Sequence, residues 1–190
     1  MGGTFDPIHL GHLLTAESAR EALELDEVVF VPAARPPHRG EAAAASAEHR
    51  YAMALIATAA HPAFRVSRVE IERDGPSYSI DTVRHFQAEG QELFFLLGAD
   101  AVLEIATWRS WRELLAACTF VALPRPGYDL ARLHAELPTA QAARVRVVEA
   151  PGIEVSATEI RRRVRAGRSI RYLAPEGVCA YIAKHGLYRD

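Results

Sequence analysis

Apolar positions recur along the chain with two periods, one typical of helices and one typical of strands. Segments of the two kinds alternate along the sequence. Between Leu10 and Leu25 apolar residues are spaced as on one face of a helix, and a short run rich in β-branched residues follows at 27–33. The same patterns predict further helices over 46–60, 79–87, 99–117 (in two pieces around Thr107 and Trp108) and 130–137, and further strands over 64–71, 92–97, 119–123 and 145–149.

This order of segments predicts the fold class. The run LFFLL at 93–97 is wholly apolar, which is typical of a strand covered on both faces. Because right-handed crossovers bring helices to both faces of a parallel sheet, we predict an α/β fold with a Rossmann-like, doubly wound parallel sheet. Ligands of such sheets bind beyond the carboxyl ends of the strands.

The last part of the chain changes to a purely helical pattern. The residues from Ser156 to Glu159 form a capping box, Pro175 begins a second helix and Gly186 ends it. We therefore predict a single domain over 1–190, with a core over 1–150 and a small helical C-terminal segment over 151–190.

Composition narrows the function classes. With 190 residues, 49% hydrophobic and 24% charged, the chain is not disordered, collagenous or held together by disulfides. Its 22 basic and 24 acidic residues nearly cancel, which argues against binding to nucleic acid or to a membrane surface through bulk charge. Cys118 and Cys179 are interpreted as buried apolar residues in a reducing compartment. Because the chain shows no leader and no apolar stretch near the roughly 18 residues that span a bilayer, we expect a cytoplasmic protein.

Because the overall charge is balanced, an anion must be bound by a small group of residues rather than by the whole surface. That group cannot be a P-loop with its lysine, because Lys184 is the only lysine. Phosphate contacts then fall to arginine, histidine, hydroxyl and backbone N–H groups. Such groups meet in GGTFDPIHLGH at 2–12, where His9 and His12 lie on one side of the first turn of a helix and the positive end of the helix dipole faces the same spot. We predict a phosphate site there. Two surface histidines in a turn, or two ligands of a zinc ion, are the alternatives.

The same segment resembles the H-x-G-H phosphate-binding signature of the nucleotidyltransferases related to class I aminoacyl-tRNA synthetases. The full string is similar to that of the bacterial nicotinate mononucleotide adenylyltransferases. Further segments agree with this family in order: PPHR at 36–39, SYSIDT at 77–82, GAD at 98–100, TW at 107–108, RPGY at 125–128 and VSATEIR at 155–161. The resemblance therefore covers essentially the whole chain.

The resemblance implies a reaction in NAD biosynthesis: transfer of the adenylyl group of ATP to the 5′-phosphate of nicotinate mononucleotide, giving deamido-NAD and pyrophosphate, with Mg²⁺ bound with ATP. The attacking phosphate is already an anion, so positioning and charge neutralisation suffice without a general base. Transfer to nicotinamide mononucleotide or phosphopantetheine, and a nucleotide-binding module without catalysis, are the alternatives. No nucleic acid or membrane partner is expected, and a homo-oligomer is left open.

The resemblance also assigns residues to ATP, three of them catalytic: His9, His12 and Arg161. The implied ATP-binding residues are Gly3, Thr4, Phe5, His9, His12, Asp100, Ser156, Thr158 and Arg161. His12 would stabilise the transition state, Ser156, Thr158 and Arg161 would hold the β and γ phosphates, and Asp100 would accept from the ribose hydroxyls. The structural alternatives are a helix cap for Ser156, an N-cap of a helix beginning at Ala101 for Asp100, and a solvated basic face for Arg162 and Arg163.

The residues that the resemblance assigns to the mononucleotide are His38, Arg39, Tyr78, Ser79, Trp108 and Arg125. Trp108 would stack on the pyridine ring, and Tyr78 and Ser79 would receive its carboxylate partly through backbone N–H groups. Trp111 is interpreted as a packing residue, and the loop that carries His38 and Arg39 as one that closes over the substrates. No protein ligands for a metal are predicted.

Three departures from the family pattern stand out. The chain begins Met1-Gly2-Gly3 where relatives usually have an apolar first strand, so either that strand is nearly absent or the true start lies upstream. Ala157 stands where a second serine is typical of the family. One phosphate-binding hydroxyl is therefore missing, and Thr158 becomes more important as a hydroxyl donor. Arg39 replaces a lysine, which keeps the charge but not the shape.

Overall fold

The structure is a computed structural model that describes residues 1–36, 43–124 and 144–189. Within them the strands are β1 (Gly2–Gly3), β2 (Val28–Pro32), β3 (Phe64–Val66), β4 (Phe94–Gly98), β5 (Thr119–Leu123) and β6 (Val145–Val147). The helices are α1 (Leu10–Ala22), α2 (Ala47–Thr58), α3 (Ser79–Gln87), α4 (Ala99–Leu103), α5 (Trp111–Ala117), α6 (Ala157–Arg165) and α7 (Glu176–His185), with a 3-10 turn at Ile105–Thr107.

All strand pairs in the described residues are parallel. One sheet has the order β1-β2-β3, the other has β4-β5-β6, and β1 lies next to β4. The combined order 3-2-1-4-5-6 is that of the Rossmann fold, in which the crossovers change direction between β1 and β4. This arrangement confirms the predicted α/β fold and puts the ligand-binding edge beyond the carboxyl ends of β1 and β4.

Helices cover both faces of the sheet. Successive residues of β5 show this, because Phe120 and Ala122 belong to a buried cluster that includes Ile80 of α3 and Leu114 of α5. Val121 belongs to a second cluster on the opposite face, which draws on α1, α2, α6 and α7. Full burial of a side chain as large as that of Val121 or Phe120 stabilises the fold by about 1.5–3 kcal/mol. None of the described helices has the length and apolar character needed to cross a bilayer.

Most element boundaries follow the sequence to within a few residues, and strand β3 differs in an informative way. Helix α3 and strand β5 have the predicted bounds. Strand β3 ends at Val66 rather than at 71, because the backbone turns there and the N–H groups of Ile71 and Glu72 donate to the carbonyl of Arg68. Strand β1 is only two residues long. The predicted helix over 130–137 lies outside the described residues.

The C-terminal helices pack onto the core rather than standing apart from it. Ile160 of α6 and Val178 and Ile182 of α7 are buried in the same cluster as Phe30 of β2. Helix α7 ends at Gly186, whose φ of 62° is left-handed, as the glycine signal predicted. The domain boundary near 150 stays a prediction.

Candidate active site

A cleft of about 1080 Å³ opens where β1 meets β4. Its walls include Thr4, His9 and His12 from the segment after β1, and Tyr78 and Trp108 from the segments around α3 and α5. This is the switch point of the sheet, where α/β folds bind nucleotides. The cleft therefore brings together members of both groups that the resemblance assigned, while Asp100, Ser156, Thr158 and Arg161 do not line it.

Two glycines allow the loop after β1 to fold tightly. Phe5 has a left-handed φ of 49°, and its ring lies so close to Gly3 that a Cβ there would be 2.9 Å from the ring. A Cβ on Gly11 would lie 3.1 Å from the His9 ring and 3.7 Å from the carbonyl oxygen of Val155. Non-glycine residues adopt such a φ rarely and at a free-energy cost, and such strain is often found at functional sites.

The histidine pair is ordered by contacts within the first turn of α1. The rings of His9 and His12 stack with centroids 3.6 Å apart, and the backbone N–H of His9 donates to Nδ1 of His12 at 3.2 Å. A neutral imidazole that accepts at Nδ1 carries its proton on Nε2. This hydrogen bond puts the proton of a neutral His12 ring on Nε2, and the role of His12 towards an anion stays a prediction.

The C-terminal helix α6 approaches this loop from the far end of the chain. Arg161 donates from Nη1 to the carbonyl oxygen of Asp6 at 2.7 Å and from Nη2 to Oγ1 of Thr158 at 3.3 Å. Ser156 is the N-cap of α6, and its Oγ accepts from the N–H of Glu159 at 3.2 Å. The structure therefore brings Thr158 and Arg161 to the segment that holds the histidines.

The predicted capping box is only half formed. The Glu159 carboxylate accepts from Arg162 and Arg163 at 2.7–2.8 Å instead of reaching back to Ser156. These hydrogen bonds, that of Arg162 first, lower the pKa of Glu159 to about 2. Glu159 therefore pairs with both guanidinium groups, and Arg163 also donates to the carbonyl oxygen of Ser169, so these two arginines form an ion-paired cluster rather than a purely solvated face.

Sequence reasoning missed Asp6, which joins distant parts of the site. Its carboxylate is 4% exposed and accepts from the N–H groups of Ala44 and Ala45 and from the hydroxyl of Tyr188, at 2.8, 3.1 and 2.7 Å. Burial, and then the Asp6 carboxylate, raise the pKa of Tyr188. Asp6 therefore holds the loop after β1 against the start of α2 and the end of the chain. No local pattern signals this, because its partners are 38 to 182 residues away.

Arg50 was also missed, although a signal existed. It is 1% exposed and donates to the carbonyl oxygens of Thr4 at 2.7 Å and Ala45 at 3.1 Å. Its spacing from Met53 and Ala54 puts it on the buried face of α2, where a cation is rare without several acceptors. An arginine at a core position of an amphipathic helix could have been recognised from the sequence.

The other wall of the cleft carries aromatic side chains. Tyr78 immediately precedes α3, Ser79 is its first residue, and both line the cleft. Trp108 is half-buried and packs edge-on against Phe95 with centroids 6.2 Å apart. The guanidinium carbon of Arg109 lies 4.6 Å over the Tyr78 ring. This wall offers flat apolar surface and one cation to a ring-shaped ligand.

The remaining predicted residues have mixed outcomes. Asp100 is exposed in the first turn of α4, between Gly98 and Ala101, which line the cleft. It does not cap a helix from Ala101, because α4 begins at Ala99 and its N-cap is Gly98. Trp111 packs against the buried cluster on its side of the sheet, as expected. The other three are His38, Arg39 and Arg125, which lie outside the described residues.

A Rossmann-like sheet with a histidine pair at the start of its first helix, and with Arg161 of α6 bonded to the Asp6 carbonyl in the preceding loop, defines a nucleotide-binding α/β protein of the nucleotidyltransferase type. Residues 1–163 match the family model described as cytidylyltransferase-like. A probable nicotinate-nucleotide adenylyltransferase of Moorella thermoacetica is 50% identical over 195 residues, covering 100% of this chain and 90% of the relative. One of Thermus thermophilus is 50% identical over 190 residues, covering 99% and 97%. The chain belongs to the cytidylyltransferase-like family and, within it, to the nicotinate-nucleotide adenylyltransferases.

Solved structures agree on the fold. Plasmodium falciparum nicotinic acid mononucleotide adenylyltransferase, complexed with NaAD, superposes with a TM-score of 0.79 at 17% identity, covering 98% of this chain and 94% of the other. The same enzyme complexed with APC gives a TM-score of 0.77 over the same shares. At this identity the likeness concerns the architecture.

Proposed function

We propose that this chain transfers the adenylyl group of ATP to nicotinate mononucleotide, releasing pyrophosphate and forming deamido-NAD, the reaction named for its relatives. The observation that carries the proposal is the stacked His9 and His12 pair at the start of α1, with Arg161 bonded to the adjoining Asp6 carbonyl. Both histidines can donate to phosphate oxygens, and Arg161 adds a permanent positive charge.

The chemistry needs positioning more than proton transfer. The 5′-phosphate of the acceptor is already a nucleophilic anion, so attack on the α-phosphate of ATP can proceed in line without a general base. Negative charge builds on the α-phosphate oxygens in the transition state, and the Nε2–H of His12 would stabilise it there. Thr4, Phe5, Ser156 and Thr158 would bind the other phosphate oxygens through N–H and hydroxyl groups.

The mononucleotide would occupy the aromatic wall. Trp108 would stack on its pyridine ring, while the first turn of α3, at Tyr78 and Ser79, would face the ring's carboxylate. Asp100 would accept from the ribose hydroxyls of ATP. These roles, and those of His38, Arg39 and Arg125, are proposals that rest on the family resemblance.

The donor set at the phosphate loop suits phosphate rather than a metal ion. It consists of imidazole, hydroxyl, N–H and guanidinium groups, and the nearby Asp6 carboxylate already accepts three hydrogen bonds. Within the described ranges, no three histidine, cysteine, aspartate or glutamate side chains come together as ligands of an ion. Mg²⁺ would accordingly enter with ATP, held mainly by its phosphates, where it offsets their charge.

Pyrophosphate release tests the proposal. The chain is incubated with ATP and Mg²⁺, and nicotinate mononucleotide is compared with nicotinamide mononucleotide at equal concentration. A preference of about tenfold or more for the acid in kcat/KM is expected. Equal use of both would keep the adenylyl transfer and refute the carboxylate pocket. Tight ATP binding without turnover of either, or of phosphopantetheine, would refute the enzyme assignment.

A further inference from the structure

Side-chain charge in the cleft is unevenly distributed. Of the described residues that line it, Arg109 alone is an arginine or lysine, whereas carboxylates such as Glu70 and Glu92 occur several times. The mononucleotide of the proposed function carries two separate anionic groups, a phosphate and a ring carboxylate. Acidic walls disfavour both groups unless a cation is near. In the proposed function, the histidine pair and Arg161 bind the phosphates. The ring carboxylate at the aromatic wall is therefore the anionic group that still lacks a cationic partner.

Arg109 is held at that wall in a defined orientation. It follows Trp108 directly, and its guanidinium lies over the Tyr78 ring at 4.6 Å. The next residue, Ser110, has a left-handed φ of 51°, which turns the chain before α5 begins. Within 1–36, 43–124 and 144–189, Arg109 forms no ion pair with a carboxylate, and its guanidinium stacks on the Tyr78 ring. A guanidinium that stacks on a ring keeps its N–H edge available for a planar carboxylate.

We propose that Arg109 is a specificity-determining residue that donates to the carboxylate of nicotinate mononucleotide and thereby sets the preference for the acid over the amide. This inference rests on the proposed function and deepens it. The carboxylate matches the two parallel N–H groups of the guanidinium and its charge. The amide brings no charge and meets those donors with an NH₂ group of its own, so it gains much less.

The test compares steady-state pyrophosphate release by wild type, R109Q and R109K with each mononucleotide. R109Q should lower kcat/KM for nicotinate mononucleotide by about tenfold, mainly through KM, because a partly exposed ion pair is screened by water. Its kcat/KM for nicotinamide mononucleotide should stay within about twofold. R109K should recover part of the preference, since it keeps the charge but loses the stacked plane.

Arg112 provides a matched control. It is exposed, lies over the ring of Trp111 at 4.3 Å, and does not line the cleft. R112Q should leave both substrates as in wild type. Added KCl should reduce the acid-to-amide ratio of wild type and change that of R109Q much less, because salt screens the charge in question.

The outcomes separate the two hypotheses. A selective loss for the acid supports the role of Arg109. An equal loss for both nucleotides overturns it, because a contact to the shared phosphate or a disturbed fold would act on both. An unchanged acid-to-amide ratio in R109Q also overturns it while leaving the proposed function intact. If wild type uses neither nucleotide, the proposed function fails first, and this inference falls with it.

Discussion

Replacing Tyr188 with phenylalanine would remove one buried hydroxyl from the contact between the end of the chain and Asp6. The hydroxyl donates to Oδ1 of Asp6 at 2.7 Å, and the two residues are 7% and 4% exposed. Hydrogen bonds to charged groups contribute about 1.5–3 kcal/mol. Phenylalanine fills the same space, and Asp6 keeps two backbone donors, so no cavity forms and the carboxylate is not left bare. We expect the free energy of unfolding to fall by about 2 kcal/mol.

Urea unfolding at pH 7, followed by circular dichroism, measures this loss. Y172F is the control, because Tyr172 is 82% exposed and its change should stay within about 0.5 kcal/mol. A loss below about 0.5 kcal/mol in Y188F, or an equal loss in Y172F, would refute the reasoning.

The same pair of proteins has a pH signature. Burial, and then Asp6, raise the pKa of Tyr188 in the folded state above its usual value of about 10, so folding favours the neutral phenol. A raised pKa gives stability that is fully present below pH ~10 and is lost as the pH rises towards the folded-state value. Above pH ~10, wild type should therefore lose more of its free energy of unfolding than Y188F does. Parallel stability curves for the two proteins would contradict a buried, raised Tyr188.

Three further predictions concern the cleft and the half-buried thiol of Cys118. H12A should lower kcat by on the order of 10²-fold, because the transition state loses one hydrogen-bond donor. The control H85A, on the outer face of α3, should leave kcat unchanged. Unchanged turnover in H12A would show that His12 does not stabilise the transition state. W108A should chiefly raise the KM for the mononucleotide, and an effect confined to the KM for ATP would show that the pyridine site lies elsewhere. Burial raises the pKa of the Cys118 thiol to about 12. In C179A, where Cys118 is the remaining cysteine, this thiol should react with iodoacetamide at pH 8 far more slowly than free cysteine does. An equal rate would show that the thiol is exposed.

The parts of this molecule that the sequence predicted are those encoded by neighbours in the chain. Helix α3 and strand β5 follow their local periodicity, and the histidine pair follows from the three-residue spacing in one helical turn. Strand β3 is shorter than its apolar pattern, since hydrogen bonds to the Arg68 carbonyl turn the backbone after Ser67.

Long-range polar contacts escaped prediction for a different reason. The roles of Asp6 and Arg109 depend on which segments the fold brings beside them, and nothing near them in the chain records that. Arg50 stands between the two cases. Its place on the apolar face of α2 is legible from the sequence, but its carbonyl partners, Thr4 and Ala45, are not.

The bond between Asp6 and Tyr188 has a consequence for the order in which the protein acquires its structure. The two residues are 182 positions apart, so a ribosome completes almost the whole described chain before the bond can exist. A domain generally folds as a unit, and closing a loop between distant residues costs more conformational entropy than closing a short one. The loop that carries the histidines is therefore translated first but completes its contacts among the last, once Tyr188 has been made and has reached Asp6.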